Sequence, residues 1–168
     1  MKMLKSAGFL LLLCAIFITL AACDTPDTPS DETVPYAFAL NGLEIRVDDK
    51  MAAVAEVLGA PLSYSELGTC GLRGDMDKVY AYSDVFFYTA QINGVDYIDS
   101  IVLKTDLVST KEGVAIGDTK ADVLTAYGEP SETKGKALVY TAGSMQLVFH
   151  LDDAEAVHSI VYQFPTKN

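Results

Sequence analysis

Apolar and polar residues alternate in short runs along this chain, and only two stretches follow the longer period of a helix. Residues 36–47 alternate on either side of Asn41-Gly42, a pair typical of a hairpin turn. Residues 48–58 and 121–127 place their apolar side chains on one helical face. Segments rich in aromatic and β-branched residues predict six further strands: 79–82, 85–92, 97–103, 138–141, 145–151 and 157–164. Two short helices with six to eight strands predict an α+β fold, with the helices packed on antiparallel sheet.

The clearest local signals surround the second helix, in residues 113–130. Thr119 and Asp122 have the spacing of a capping box, in which each side chain satisfies a free backbone N–H of the first turn. Asp118 adds negative charge at the positive end of the helix dipole. Gly128 can adopt the left-handed conformation that ends a helix, and Pro130 cannot continue one. Both ends of this helix are therefore predicted.

A weaker copy of the same pattern lies upstream, in residues 45–61. The matching residues are 69 positions apart: Val47 with Ile116, Asp49 with Asp118, Val54 with Val123, and Gly59 with Gly128. Similar strands follow each copy, since residues 100–102 and 159–161 both read Ser-Ile-Val. We therefore predict two tandem repeats, each a helix with antiparallel sheet, over residues 36–105 and 110–168.

The first 35 residues have the layout of an export signal followed by a spacer. A basic start and an apolar run over residues 7–20 are typical of a signal peptide, because the run is short for a membrane span. Leu20-Ala21-Ala22-Cys23 then resembles the lipobox of bacterial lipoproteins. The resemblance implies that residues 1–22 are removed and that Cys23 carries diacylglyceryl, with a further acyl chain such as palmitate on its new amine. The alternative is an uncleaved anchor.

Residues 23–35 contain three prolines and no apolar period, which predicts a flexible tether. Two acyl chains hold a protein stably on a membrane where one is marginal. The expected location is therefore the outer face of the bacterial cytoplasmic membrane, with the N-terminal lipid as the anchor.

The cleaved chain would carry ten basic and 23 acidic residues, a net charge of −13. Such a surface repels phosphate backbones, which argues against nucleic acid as a partner. Of the three cysteines, only Cys70 falls in the predicted folded body. One thiol cannot form an internal disulfide, so Cys70 is either buried and inert or exposed and reactive.

Aromatic residues in two neighbouring strands predict a binding surface. Within residues 85–92, Val85 and Phe87 point to one face and the aromatic residues between and after them to the other, so the strand is apolar on both faces. Aromatic side chains give a large contact area at a low entropic cost. The predicted surface consists of Phe86, Tyr88, Tyr80 and Tyr82. The alternative is that the N-terminal strands or the other repeat cover this face.

His150 and His158 flank the final predicted hairpin and are the first candidates for a metal site. One register places them directly opposite each other, whereas the register that pairs Phe149 with Ile160 places them on opposite faces. The second register groups more apolar residues and is favoured. Two histidines without a third ligand make a poor zinc site, so no metal is predicted. The acidic residues of the intervening turn are expected to be solvated.

The sequence lacks the local motifs of the common catalytic and nucleotide-binding sites. Serine, histidine and aspartate occur, but without a nucleophile elbow, and no glycine-rich phosphate-binding motif is present. We therefore expect no cofactor and no enzymatic activity.

The pattern around the second helix resembles a known family. Ile-Gly-Asp-Thr-Lys-Ala-Asp-Val at 116–123, followed by Tyr-Gly-Glu-Pro at 127–130, is similar to the signature of β-lactamase-inhibitor-protein-like folds and of SmpA/OmlA-type envelope lipoproteins. With Cys70 and the segments 77–82 and 159–162, the likeness extends over residues 59–162 to lipoproteins of Gram-positive bacteria. It implies a tandem pair of helix-plus-sheet units that binds proteins and catalyses nothing.

These observations predict a membrane-anchored envelope lipoprotein that acts as a non-catalytic protein-interaction module. Its expected partner is another envelope or extracellular protein. The alternative is a lipoprotein that binds a small ligand or a cell-wall fragment and serves a transporter or sensor.

Overall fold

The computed structural model describes residues 36–68, 73–74 and 76–165. The helices are α1 (Met51–Leu58) and α2 (Lys120–Tyr127). The strands are β1 (Phe38–Leu40), β2 (Leu43–Ile45), β3 (Ser63–Leu67), β4 (Met76–Ala81), β5 (Val85–Ile92), β6 (Val95–Leu103), β7 (Glu132–Lys134), β8 (Ala137–Ala142), β9 (Met145–Leu151) and β10 (Val157–Gln163). The predicted α+β class is confirmed. The N-terminal segment with Cys23 and the position of Cys70 lie outside the described residues.

Eight of the strands form one antiparallel sheet in the order β3-β4-β5-β6-β10-β9-β8-β7. From one edge inwards the strands are β3, β4, β5 and β6, and from the other edge they are β7, β8, β9 and β10. The last strands of the two series, β6 and β10, are neighbours at the centre of the sheet. There β6 and β10 are antiparallel, with Val102 opposite Val161. The separate hairpin β1–β2 turns at Asn41 and Gly42, which have φ angles of 52° and 80°. The turn predicted at this pair is confirmed.

The two strands that sequence patterns did not predict, β3 and β7, are the edge strands of the sheet. Every residue of both strands is exposed. An edge strand that buries neither face has no reason to alternate apolar and polar residues, and alternation was the signal used. The inner strands bury one or both faces, and β5 and β9 have the predicted bounds.

Both helices end in the same way. Gly59 after α1 has φ 77° and ψ −162°, and Gly128 after α2 has φ 72° and ψ −156°. The carbonyl of Gly59 accepts a hydrogen bond of 2.9 Å from the Tyr82 hydroxyl, and that of Gly128 accepts one of 2.8 Å from the Tyr140 hydroxyl. A tyrosine hydroxyl thus holds the C-terminal end of each helix, from Tyr82 directly after β4 and from Tyr140 within β8.

The same type of turn precedes each helix, but only α2 has a side-chain cap. The Asp49 carboxylate accepts the N–H of Arg46 at 2.7 Å, and the Asp118 carboxylate accepts the N–H of Ala115 at 2.8 Å. The predicted capping box of α2 is confirmed, because Thr119 and Asp122 exchange both hydrogen bonds. Helix α1 begins after Lys50, which makes no side-chain cap.

The core lies between one face of the eight-stranded sheet and a layer that holds both helices and the β1–β2 hairpin. Its largest fully buried side chains include Tyr162, Phe38, Phe87, Phe149 and Met51. Met51 and Val54 of α1 and Val123 of α2 are the buried residues through which the helices contact this core. The opposite side of the sheet, called the open face below, carries a separate small cluster of Ala137, Val139, Val148 and Val161.

Candidate binding face of the sheet

The predicted aromatic surface divides over the two faces of the sheet. Val85 and Phe87 are fully buried under the helices, whereas Phe86 is half-buried and Tyr88 is 38% exposed. The alternation predicted for this strand is confirmed, and Phe86 and Tyr88 lie on the open face.

Tyr80 and Tyr82 lie on the helix side. Tyr80 is directly opposite Phe87, and the Tyr82 ring meets the Phe87 ring edge-on at 5.8 Å between centroids. Since the hydroxyl of Tyr82 also holds the end of α1, this pair supports the helix layer. The four aromatic residues therefore do not form one surface.

The hydroxyl of Tyr80 belongs to a polar cluster at the end of the core. The Asp96 carboxylate accepts hydrogen bonds from Tyr80 at 2.7 Å, from Lys78 at 3.0 Å and from Gln91 at 3.2 Å. Burial by itself would raise the pKa of Asp96, but the hydrogen bonds from Tyr80 and Lys78 outweigh it, and the pKa lies below its ordinary value. Burial raises the pKa of the Tyr80 phenol, and the bond to Asp96 raises it further. This arrangement keeps an ion pair in place and offers no free group for chemistry.

A continuous row of apolar side chains crosses the open face. Six residues on six neighbouring strands lie directly opposite one another: Ala81, Phe86, Val102, Val161, Val148 and Val139. With strands about 4.8 Å apart, the row is about 24 Å long. It ends at Ser63 and Glu132 on the two edge strands. Tyr88 lies beside Phe86 on the same face, in the next row.

The two sides of this row differ in charge. One side is neutral and polar, with Tyr88, Ser100, Gln163, Gln146 and Thr141 in successive cross-strand pairs. The other side carries basic groups. The Lys104 ammonium lies 5.1 Å from the Phe86 ring centroid, and Ala137 is the cross-strand neighbour of both Lys134 and His150. The open face thus combines an apolar row with basic groups, although the whole chain has a net charge of −11.

A cavity of about 610 Å³ opens above the end of the row formed by Val148 and Val139 and extends to both sides of it. Its floor is apolar, with Ala137, Val139 and Val148 each less than 10% exposed. Its polar rim consists of Lys134, Lys136, His150, His158, Gln146 and Gln163. Sequence patterns did not indicate this cavity, because its lining is assembled from four strands and the turn between β7 and β8.

The positions of the two histidines correct one expectation. The favoured register is confirmed, with Phe149 opposite Ile160. The conclusion that the histidines lie on opposite faces is wrong, because the pairing shifts between Val157 and Ser159 and this bulge leaves His158 outside the ladder. Both imidazoles line the same cavity, with ring centroids 6.1 Å apart. Burial and the neighbouring charge of His158 lower the pKa of His150.

In the described part of the chain, no group of three His, Cys, Asp or Glu side chains is placed to hold a metal ion. The acidic residues of the β9–β10 turn have other partners. The Asp152 carboxylate accepts the N–H groups of Ala154 and Ala156 at 2.8 and 2.9 Å. Asp153 is paired with Lys136, and Glu155 with Lys120.

Comparison with known proteins gives similarity at the level of fold. No protein-family model matches the chain, and no curated protein matches it. A solved cysteine-rich secretory protein from Staphylococcus aureus aligns with a TM-score of 0.52 and 12% identity, over 77% of this chain and 48% of that one. The chain shares its fold with about half of the staphylococcal protein.

Two further solved structures align less closely. An extracellular protein from Bacillus anthracis that contains an SCP domain gives a TM-score of 0.44 at 12% identity, over 70% of this chain and 44% of that one. A DUF4309 family protein from Bacillus subtilis gives 0.43 at 14% identity, over 70% and 79%. Among the described residues, neither helix is long and apolar enough to span a bilayer.

Proposed function

We propose that this protein is a lipid-anchored envelope protein that binds another protein through the open face of its sheet and has no catalytic activity. The observation that carries the proposal is the apolar row from Ala81 to Val139. Both helices and the β1–β2 hairpin pack on the other side of the sheet, so this row lies outside the core that they cover.

The length of the row favours a protein partner. A specific protein interface buries about 800 Å² on each side, and a row about 24 Å long suits such a footprint better than it suits a single small molecule. The partner we infer carries an apolar strip flanked on one side by acidic groups. Charge complementarity supports this, because the Lys104 ammonium lies beside the row and the other flank is neutral.

We further propose that the folded body is a tandem repeat of the β-lactamase-inhibitor-protein-like kind. Three pairs of contacts support a duplication: the carboxylate turns at Asp49 and Asp118, the glycine ends of both helices, and the tyrosine bonds to those glycines. The strand order, which is the same from either edge, supports it as well. In such a duplication the open face is one surface shared by both repeats, which suits a single extended partner.

The membrane anchor remains a proposal from the sequence. The residues that carry it, 1–22 and Cys23, lie outside the described part of the chain. We expect mass spectrometry of the protein from native membranes to find an N-terminal peptide that begins at Cys23 and carries diacylglyceryl. A Cys23→Ala variant, as the matched control, should stay uncleaved and lack the lipid mass. A mature chain that begins elsewhere, or an unmodified Cys23, would reject the anchor.

The binding surface is tested by changing its aromatic residues. The double variant Phe86→Ser, Tyr88→Ser should unfold within a few degrees of the parent and lose its partner, because on the open face Tyr88 is exposed and Phe86 is only half-buried. A photoreactive residue at position 102 should crosslink one protein in intact cells of the producing bacterium, and the double variant should abolish this product. The purified partner should then bind the parent and not the variant.

The control is the double variant Val57→Ser, Leu107→Ser, since these apolar residues are 50% and 80% exposed and lie away from the row. It should retain the crosslinked product. No protein product from position 102, or an equal loss in both double variants, would contradict the proposed surface. A large drop in the melting temperature of the Phe86, Tyr88 variant would show that these residues belong to a core.

A second candidate function, the binding of a small ligand, is favoured by one observation, the cavity with an apolar floor and several polar groups on its rim.

A further inference from the structure

We propose that the cavity rimmed by His150 and His158 binds a carboxylate or phosphate group of a small organic molecule, and that binding strengthens as the pH falls below neutral. This inference does not depend on the protein-binding role of the apolar row. It assigns a ligand class to a cavity on the same face, and its test needs no protein partner.

The geometry of the two imidazoles suits an oxyanion. The rings lie 6.1 Å apart between centroids, are inclined by 38° and line one cavity. Hydrogen bonds of about 2.8 Å from a nitrogen of each ring to the oxygens of one carboxylate or phosphate would span this separation. Lys134 and Lys136 lie on the same rim, where each forms an exposed ion pair that an incoming anion can compete for.

The acidic groups around the cavity are engaged elsewhere. Glu132 is paired with Lys134 on β7, and Asp153 is paired with Lys136. In the turn before β10, Glu155 is paired with Lys120 and the Asp152 carboxylate accepts two backbone N–H groups. Asp152 also interacts electrostatically with His158. No carboxylate of the described residues forms an ion pair or hydrogen bond with either imidazole, so a charged pair of rings would need an external counter-ion.

The electrostatics of the histidine pair link protonation to anion binding. Burial and the charge of His158 both disfavour the charged form of His150 and lower its pKa. An anion between the rings would offset both effects, so it would raise the pKa of His150. By the reciprocity of linked equilibria, protonation must then strengthen anion binding by the same factor. Histidine is the side chain that changes charge in the mildly acidic range, which sets the pH at which the effect appears.

The floor of the cavity adds selectivity. Ala137, Val139 and Val148 present buried apolar surface directly beneath the polar rim. A bare inorganic anion gains nothing from this surface, whereas an organic anion can cover it. We therefore expect benzoate, which joins a carboxylate to an apolar ring, to bind more tightly than acetate.

Because the chain has only two histidines, their resonances can be followed one by one in protein labelled with ¹³C-histidine. The variants His150→Gln and His158→Gln assign the two signals. Either variant alone is enough for the assignment, so the experiment still works if the other variant fails to fold. Benzoate, acetate and phosphate are titrated at constant ionic strength maintained with sodium chloride. At about pH 5.5 we expect saturable shifts of both signals, with affinity at least about tenfold weaker at about pH 7.5. The anion that saturates at the lowest concentration distinguishes a carboxylate ligand from a phosphate ligand.

The double variant Lys134→Gln, Lys136→Gln should weaken binding several-fold. The double variant Lys50→Gln, Lys111→Gln is the matched control, because it also removes two positive charges and neither lysine lines the cavity. An equal loss of anion affinity in both variants would show that the lysines act only through the net charge of the protein, and it would overturn the proposed site. Changes in the histidine chemical shifts that sodium chloride alone reproduces would also overturn it, and so would an affinity that is the same at both pH values.

Discussion

Replacing Phe87 by alanine should lower the free energy of unfolding by about 3–5 kcal/mol, the range found when a large buried aromatic is truncated. Phe87 is fully buried, lies opposite Tyr80 in the ladder and meets the Tyr82 ring edge-on. Its loss would leave a cavity between the sheet and α1, and would remove the ring against which Tyr82 is held. Urea unfolding followed by far-UV circular dichroism measures the change.

The neighbouring residue provides the control. Phe86→Ala removes the same side chain one position earlier, but from the open face, where the ring is only half-buried and lies beneath Lys104. We expect a cost of about 1 kcal/mol or less, from lost packing and a lost cation–π contact. Similar costs at the two positions would mean that the open face is covered in the native protein. A larger cost at Phe86 would reverse the assignment of the faces.

Asp96→Ala should destabilise the protein by about 3 kcal/mol, because it leaves a buried ammonium without its partner. The Lys78 side chain is 9% exposed and lies 2.9 Å from the nearer Asp96 oxygen. Tyr80 and Gln91 lose an acceptor in the same change. Thermal unfolding at neutral pH should show a correspondingly lower melting temperature.

A double-mutant cycle separates the ion pair from simple loss of packing. Lys78→Met with Asp96→Leu should cost clearly less than the sum of the two single changes, because an apolar pair of similar volume needs no counter-charge. Additive costs would contradict the pairing. The pH dependence has a defined sign: the pKa of Asp96 is lowered in the fold, so its contribution is present above about pH 4, the unfolded value, and is lost as the pH falls through the folded pKa.

The candidate site shows where sequence reasoning succeeded and where it failed. Alternation along β5 correctly separated Phe87 from Phe86, because a strand has period two and one face had to be buried. It could not decide the face of Tyr80 and Tyr82, since that depends on which residue of β5 each one opposes. One feature of the sequence could have indicated the polar cluster at Asp96. Lys78 lies on the same strand face as Tyr80, and if that face is buried, the Lys78 ammonium needs a carboxylate partner.

The histidine pair illustrates a second limit. The apolar residues of the last hairpin correctly predicted that Phe149 pairs with Ile160. The side to which His158 points was decided by a bulge at His158 itself, and a bulge reflects the fit of two strands against their neighbours. The cavity itself needs side chains from β7 to β10 together, so no local segment carries its signature.

By itself, the sequence determined the two helices with their glycine ends, the capping box at Thr119, the inner strands and the α+β class. These follow from caps, turns and hydrophobic period, which act over a few residues. The tertiary structure alone decided the strand order, the apolar row from Ala81 to Val139 and the cavity between His150 and His158. These features arise where strands distant in the chain are aligned by backbone hydrogen bonds, and the register of that alignment determines which side chains share a face.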